Sequence, residues 1–166
     1  MKKAVSLILL ITLTACSKKE SGDIPFDAFV YSFSDSQSNF SIKFTSGDTV
    51  FMQKRDGLER KNFYSVVDES ERDSIITLTN RIDFSAYENI YETPEANDGI
   101  AIKFYKTSRG KEQSVYAFSG SGSEELFTLA MKFTELAKRF DFEPTGKKVD
   151  FGNLEYIELP MPPKQD

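Results

Sequence analysis

Large apolar side chains recur along this chain with two different periods, and the switch between them is what most restricts its fold. From Asn39 to Thr45, Phe40, Ile42 and Phe44 alternate with Ser41 and Lys43, the period of two that turns one face of a strand toward a core. Near the other end, Leu126, Leu129, Ala130, Phe133, Leu136, Ala137 and Phe140 recur at the helical period of about 3.6. A chain with both patterns must lay helices against a sheet, so the expected class is α+β. The expected architecture is an antiparallel sheet of about five to seven strands with two helices packed on one face.

Turn chemistry divides the rest. Ser46-Gly47-Asp48 joins the first strand to a β-rich run at Thr49 to Gln53, which reads as a hairpin, and a further strand runs through Phe63 to Val67. Asp68 with Glu71 three residues on forms a capping-box pattern, and Ile75, Ile76, Leu78 and Ile82 follow at helical spacing, predicting a helix over 68–82. Ile100, Ile102 and Phe104 alternate, Ser108-Arg109-Gly110 turns the chain, and Gln113 to Phe118 returns as a second hairpin. The Gly and Ser cluster 119–123 leads into the long apolar stripe. A last strand is expected at Leu154 to Leu159, before Pro160, Pro162 and Pro163 forbid regular continuation in a tail over 160–166. Ile42-Lys43-Phe44 and Ile102-Lys103-Phe104 occupy similar places in their hairpins, for which shared hairpin chemistry is a plainer account than duplication.

The first residues follow neither pattern. Lys2 and Lys3 precede an apolar run from Ala4 to Ala15, broken only by Ser6, Thr12 and Thr14, which is a signal-peptide pattern. A spanning helix needs roughly 20 apolar residues, so the run is too short for a permanent membrane span. At its end stands Leu13-Thr14-Ala15-Cys16, a branched apolar residue, two small residues and a cysteine. This motif resembles the lipobox of bacterial lipoproteins, and the resemblance covers the first sixteen residues. It implies diacylglyceryl transfer to the Cys16 sulfur, cleavage between Ala15 and Cys16, and in many species acylation of the new amino group. Attachment by two or three acyl chains is stable where one is marginal. Ser17 after the cysteine, in place of Asp, implies transfer to the outer membrane in diderm bacteria.

The expected organisation is therefore a signal peptide at 1–15, a lipidated polar tether at 16–25, and one α+β domain at 26–159. Removing 15 of 166 residues leaves 151, the size of one domain with one core. Losing Lys2 and Lys3 moves the formal charge from -5 to -7, and an acidic body is a poor nucleic-acid binder. The expected contact with the membrane is the lipid on Cys16, with an envelope protein or glycan as further partner, no cofactor, and a monomeric body.

Catalytic sets are scarce. The chain has no His and a single Cys, which removes the commonest general base and any intrachain disulfide. The Ser119-Gly120-Ser121-Gly122 run has no basic partner nearby and reads as a helix entry. The richest polar stretch is Tyr87 to Gly99, where Tyr87, Glu88, Tyr91, Glu92 and Asp98 combine phenols with carboxylates. Aromatic faces beside carboxylates suit sugar or peptide recognition, and a solvated acidic loop is the plainer account. The basic segment Gln53 to Lys61, interrupted by Asp56 and Glu59, could meet phosphates or serve as an exposed connection. The expected function is a non-catalytic binding or structural module held on a membrane. Two alternatives stay open: an envelope glycan hydrolase using paired carboxylates, and an inhibitor or immunity protein presenting the 87–98 loop to a basic cleft.

Overall fold

The computed structural model describes residues 24–92 and 99–157. Its framework is an eight-stranded sheet carrying two helices. In chain order the strands are β1 (Ala28–Ser34), β2 (Asn39–Thr45), β3 (Thr49–Asp56), β4 (Glu59–Val66), β5 (Ile90–Tyr91), β6 (Ala101–Ser108), β7 (Lys111–Phe118) and β8 (Glu143–Thr145). Helix α1 (Glu69–Thr79) follows β4, and α2 (Glu124–Ala137) follows β7. The sheet order is β5-β7-β6-β1-β2-β3-β4-β8.

The class is α+β with two helices, and both alternating hairpins form, β2 with β3 and β6 with β7. The strand number and the purely antiparallel arrangement need correction. There are eight strands, and β5 lies parallel to β7, pairing Ile90 with Tyr116 and Tyr91 with Ala117. Alternation identifies hairpins, but it carries no information about a two-residue strand that reaches the sheet edge by way of a helix. β8, of three residues, is nearly as short and holds Pro144 at the opposite edge, where a residue without an N–H is tolerated.

The capping box forms as read: Asp68 Oδ1 accepts from the Glu71 N–H at 2.8 Å, and Glu71 Oε2 accepts from the Asp68 N–H at 2.9 Å. The helix stops at Thr79, three residues short of the expected Ile82, although Ile82 still turns into the core. The expected strand over 154–159 does not form within its described part, 154–157. Instead an irregular strap over 147–157 crosses the sheet. Asp150 Oδ1 accepts from the Gly152 N–H, Asn153 Oδ1 accepts from the Glu155 N–H, and Gly152 and Tyr156 take φ of 69° and 70°. Side chains that bond their own backbone compete with ladder formation, and a left-handed residue breaks a strand.

Each face of the sheet has its own cover. Phe29 and Tyr31 of β1, Phe44 of β2 and Phe104 of β6 point to the helices and surround Phe133 of α2, with ring centroids 5.3 to 5.8 Å from it. Val30 and Tyr105 point the other way and pack against Phe151 of the strap. β1 lies between β2 and β6, with Phe29, Val30 and Tyr31 at most 1% exposed. It is the central strand of a sheet covered on both faces.

Candidate functional site

The strap face carries a polar system at its centre. Ser32 pairs with Ser41 on one side and with Lys103 on the other, and Lys103 in turn pairs with Tyr116. These four side chains therefore form a row across four strands. The Ser32 and Ser41 hydroxyls bond each other at 2.5 Å. Arg55, two residues beyond Gln53 on the same face of β3, reaches back across them. Its Nη2 donates to Ser41 Oγ at 3.0 Å and its Nε to Asn39 Oδ1 at 2.6 Å. Lys103 Nζ donates to Asn153 Oδ1 at 3.1 Å and to the Glu155 carbonyl at 2.9 Å, so the strap is tied to the sheet by a buried ammonium. Burial pushes the Lys103 pKa down, partly offset by the charge of Glu155.

This system borders a cleft of about 510 Å³ lined by Asp35, Arg55, Asp56, Tyr116, Phe118 and Tyr156, among others. The hairpin β3–β4 shapes one wall. The segment expected as a basic exposed connection is this strand–turn–strand unit, in which Lys54 and the residues from Asp56 to Lys61 are exposed as expected, while Arg55 is 6% exposed and turns inward. Tyr156 sits at the mouth. It holds a left-handed φ that a side chain rarely adopts, yet it is 44% exposed. Its ring centroid lies 5.2 Å from that of Tyr116, and Lys103 Nζ stands 5.9 Å from the ring centre. Tyr156 is thus an exposed aromatic held in a backbone conformation that costs energy.

The cleft lies at one end of the sheet. Ala28, where β1 begins, pairs with Thr45 and Thr107 near the β2–β3 and β6–β7 turns. Ser34, where β1 stops, pairs with Asn39 and Ala101 beside the cleft. At about 3.3 Å per residue, β1 alone separates the two ends by about 20 Å. The chain from the amino-terminal side enters at the Ala28 end, where Ser108 Oγ donates to the Pro25 carbonyl and Asp27 Oδ2 accepts from the Arg109 N–H.

The residues singled out in the sequence separate. Ala15, Cys16 and Asp98 lie outside the described residues. Tyr87 donates its hydroxyl proton to Glu125 Oε2 at 3.0 Å, and its pKa is raised by burial and by that carboxylate. Tyr91 accepts from the Glu88 N–H at 2.9 Å and lies against Gly122. Both phenols therefore clamp the loop to the entry of α2. Glu88 and Glu92 are exposed, and the Glu92 charge reaches Tyr116, adding to the burial that raises that phenol. Of the stretch from Tyr87 to Gly99, Gly99 lines the cleft.

Arg55, Tyr116, Phe118 and Tyr156 escaped the sequence reading. Arg55 was legible only as one charge of a basic run. Tyr156 stands in the segment expected as a last strand. Among the described residues, no three His, Cys, Asp or Glu side chains are grouped to hold a metal ion, and no helix is long and apolar enough to cross a membrane. Comparison with protein-family models, with curated proteins and with solved structures found no match to this chain.

Proposed function

We propose that this chain is a lipoprotein of the bacterial envelope, held by acyl chains on Cys16 at the outer membrane, whose α+β body is a non-catalytic module that binds an envelope protein or glycan in the Tyr156 cleft. The observation that carries the binding reading is the opposition of two ends. The chain enters the sheet beside Ala28, and the cleft opens at the other end of β1. A body tethered at the first end presents the second away from the lipid. Aromatic rings next to polar side chains supply stacking faces and orienting hydrogen bonds, as sugar and peptide sites require.

The test has two parts. Intact mass and membrane partition of wild type beside Cys16→Ala should show loss of residues 1–15 plus acyl chains, abolished by the substitution. Retention on insoluble cell-wall glycan, or on one envelope protein, should then fall at least about tenfold in Tyr156→Ala, the scale of one lost aromatic anchor. Equal retention by the variant would remove the cleft from the proposal.

A glycan hydrolase is the second reading, because Asp35 and Asp56 line the same cleft. It ranks below because Asp35 Oδ1 already accepts from the Gln37 and Ser38 N–H groups, at 2.8 and 2.6 Å, and so closes its own turn. Glycan cleavage by wild type, abolished in Asp56→Asn, would reverse the ranking.

A further inference from the structure

The helix layer has an unused outer face. A groove of about 1580 Å³ runs between α1 and α2, floored by Leu78 and Leu136 and edged by Met131. Met131 is 51% exposed and is the one large apolar side chain of either helix to stand out among the described residues. The two walls differ in sign. The α1 wall carries Asp68, Glu69 and Asp73, and the α2 wall carries Lys132, Lys138 and Arg139. Glu135 interrupts the second wall and pairs with Lys138 at 2.5 Å, so the net positive sign of that wall rests on Lys132 and Arg139.

The helices run in opposite directions. α1 starts beside the β2–β3 turn, where the Val67 N–H bonds the Asp48 carbonyl, and α2 ends at the same place, with Phe140 against Phe44. Asp68 and Glu69 thus stand level with Lys138 and Arg139; at the helical rise of about 1.5 Å per residue, Asp73 and Lys132 are then offset by about 3 Å along the axis, as are Leu78 and Met131 in the opposite sense, offsets that long side chains span. A two-fold axis lying in this face parallel to the helices would set the acidic α1 of one copy over the basic α2 of another, twice, and would bring Met131 and Leu78 of both copies together. Opposite walls at closely matched levels are what an isologous contact needs.

We infer that two copies of this chain pair through the α1–α2 groove, side by side, with their helices parallel. Such an axis leaves both Ala28 ends on the same side. Two tethers then reach one membrane and both Tyr156 clefts face away from it, a consequence that rests on the lipoprotein reading while the pairing itself does not. Confinement to a membrane raises the local concentration of copies, so a contact of modest affinity suffices.

The test is oxidative cross-linking of the full chain in cells carrying Met131→Cys, with Leu58→Cys, exposed at the far β3–β4 turn, as control. The expected result is a disulfide-linked band of twice the chain mass for Met131→Cys and none for Leu58→Cys or wild type. Adding Asp73→Lys should weaken the band about tenfold, since each charge pair occurs twice, and adding Lys132→Glu to that should restore it. Cross-linking at Met131 no stronger than at Leu58, or to a different protein, would overturn the pairing. A wild-type band would mean that Cys16 carries a free thiol. That outcome sinks acylation and leaves the pairing to be decided by the same comparison in a Cys16→Ser background.

Discussion

The two faces of the sheet are covered by different physics. On the helix face, Phe29, Tyr31, Phe44 and Phe104 close around Phe133, and the cover is a regular helix whose backbone satisfies itself. On the other face the cover is the 147–157 strap, which satisfies its backbone through its own Asp150 and Asn153 side chains and through Lys43 and Lys103. Its apolar contacts are separate pegs, Phe151 against Val30 and Tyr105, and Ile157 against Ala101 and Tyr116. The comparison teaches that this domain has one face built around a single packed cluster and one that carries the candidate cleft.

The largest expected effect tests the first half of that statement. Phe133→Ala removes the ring at the centre of the aromatic cluster from a position that neither helix nor sheet can collapse onto, so the expected loss is about 3–5 kcal/mol. Urea unfolding should show the midpoint collapse. Phe151→Ala deletes a ring of the same size, 3% exposed, beneath a segment free to settle, and should cost about half as much. Equal costs would mean that the strap is as much a part of the fold as α2.

Next comes a change aimed at the strap alone. A Cβ built on Gly152 would lie 2.3 Å from Tyr105 Cε1, at a φ of 69° that disfavours any side chain. Gly152→Ala should therefore lift the strap, at about 1–3 kcal/mol. Hydrogen exchange should quicken at the strap amides while the amides of β1 and α2 keep their protection. Loss of protection throughout would show that the two faces open as one unit.

The same contrast explains what could be read from the sequence. Phe40, Ile42 and Phe44 announce their hairpin because one face of that strand is apolar and the other polar, and Leu126 to Phe140 announce α2 for the helical equivalent of that reason. β1 gave no such signal although it is the centre of the sheet. With Phe29, Val30 and Tyr31 consecutively buried it shows no alternation, because both of its faces are covered. The strap and the cleft were illegible on other grounds. Tyr156 is defined by a left-handed backbone that nothing local requires, and the burial of Arg55 depends on Asn39 and Ser41, residues more than ten positions away. Local period carries elements, while the site is assembled from long-range register.

Alkaline pH offers a gentler comparison, because each face buries a phenol. Burial raises the Tyr31 pKa far above its usual value despite the bond to Thr134 Oγ1 at 2.8 Å. On the strap side, burial first, then Glu112 and Asp150, push Tyr105 up to about 12. Between the unfolded pKa of about 10 and the folded one, the native chain keeps these protons and the unfolded chain releases them. The unfolded state binds fewer protons there, so stability falls as pH rises from 10 toward 12. Tyr31→Phe and Tyr105→Phe should each flatten that decline in denaturation midpoints taken from pH 9 upward. A decline unchanged by both would assign it to other groups.

The smallest expected effect concerns the buried ammonium itself. Lys103 is 3% exposed and donates to two strap oxygens, so its removal invites the expectation of a large loss. The opposing term is the cost of keeping a charge away from water, the same cost that lowers its pKa. Replacing a desolvated charge by an apolar chain of similar length often leaves stability unchanged. Lys103→Met keeps most of the stem and frees Asn153 and the Glu155 carbonyl, both near the surface, to bond water. The two terms nearly cancel, and the net change should stay within about 1 kcal/mol. What should change is position. Without the ammonium that stands near the Tyr156 ring and holds the Glu155 carbonyl, Tyr156 loses its reason to keep a left-handed backbone, so ligand retention should fall while the urea midpoint holds. A fall in the midpoint as large as that of Phe151→Ala would make Lys103 part of the fold, and the division between the two faces would then fail at the residue where it is most exposed to test.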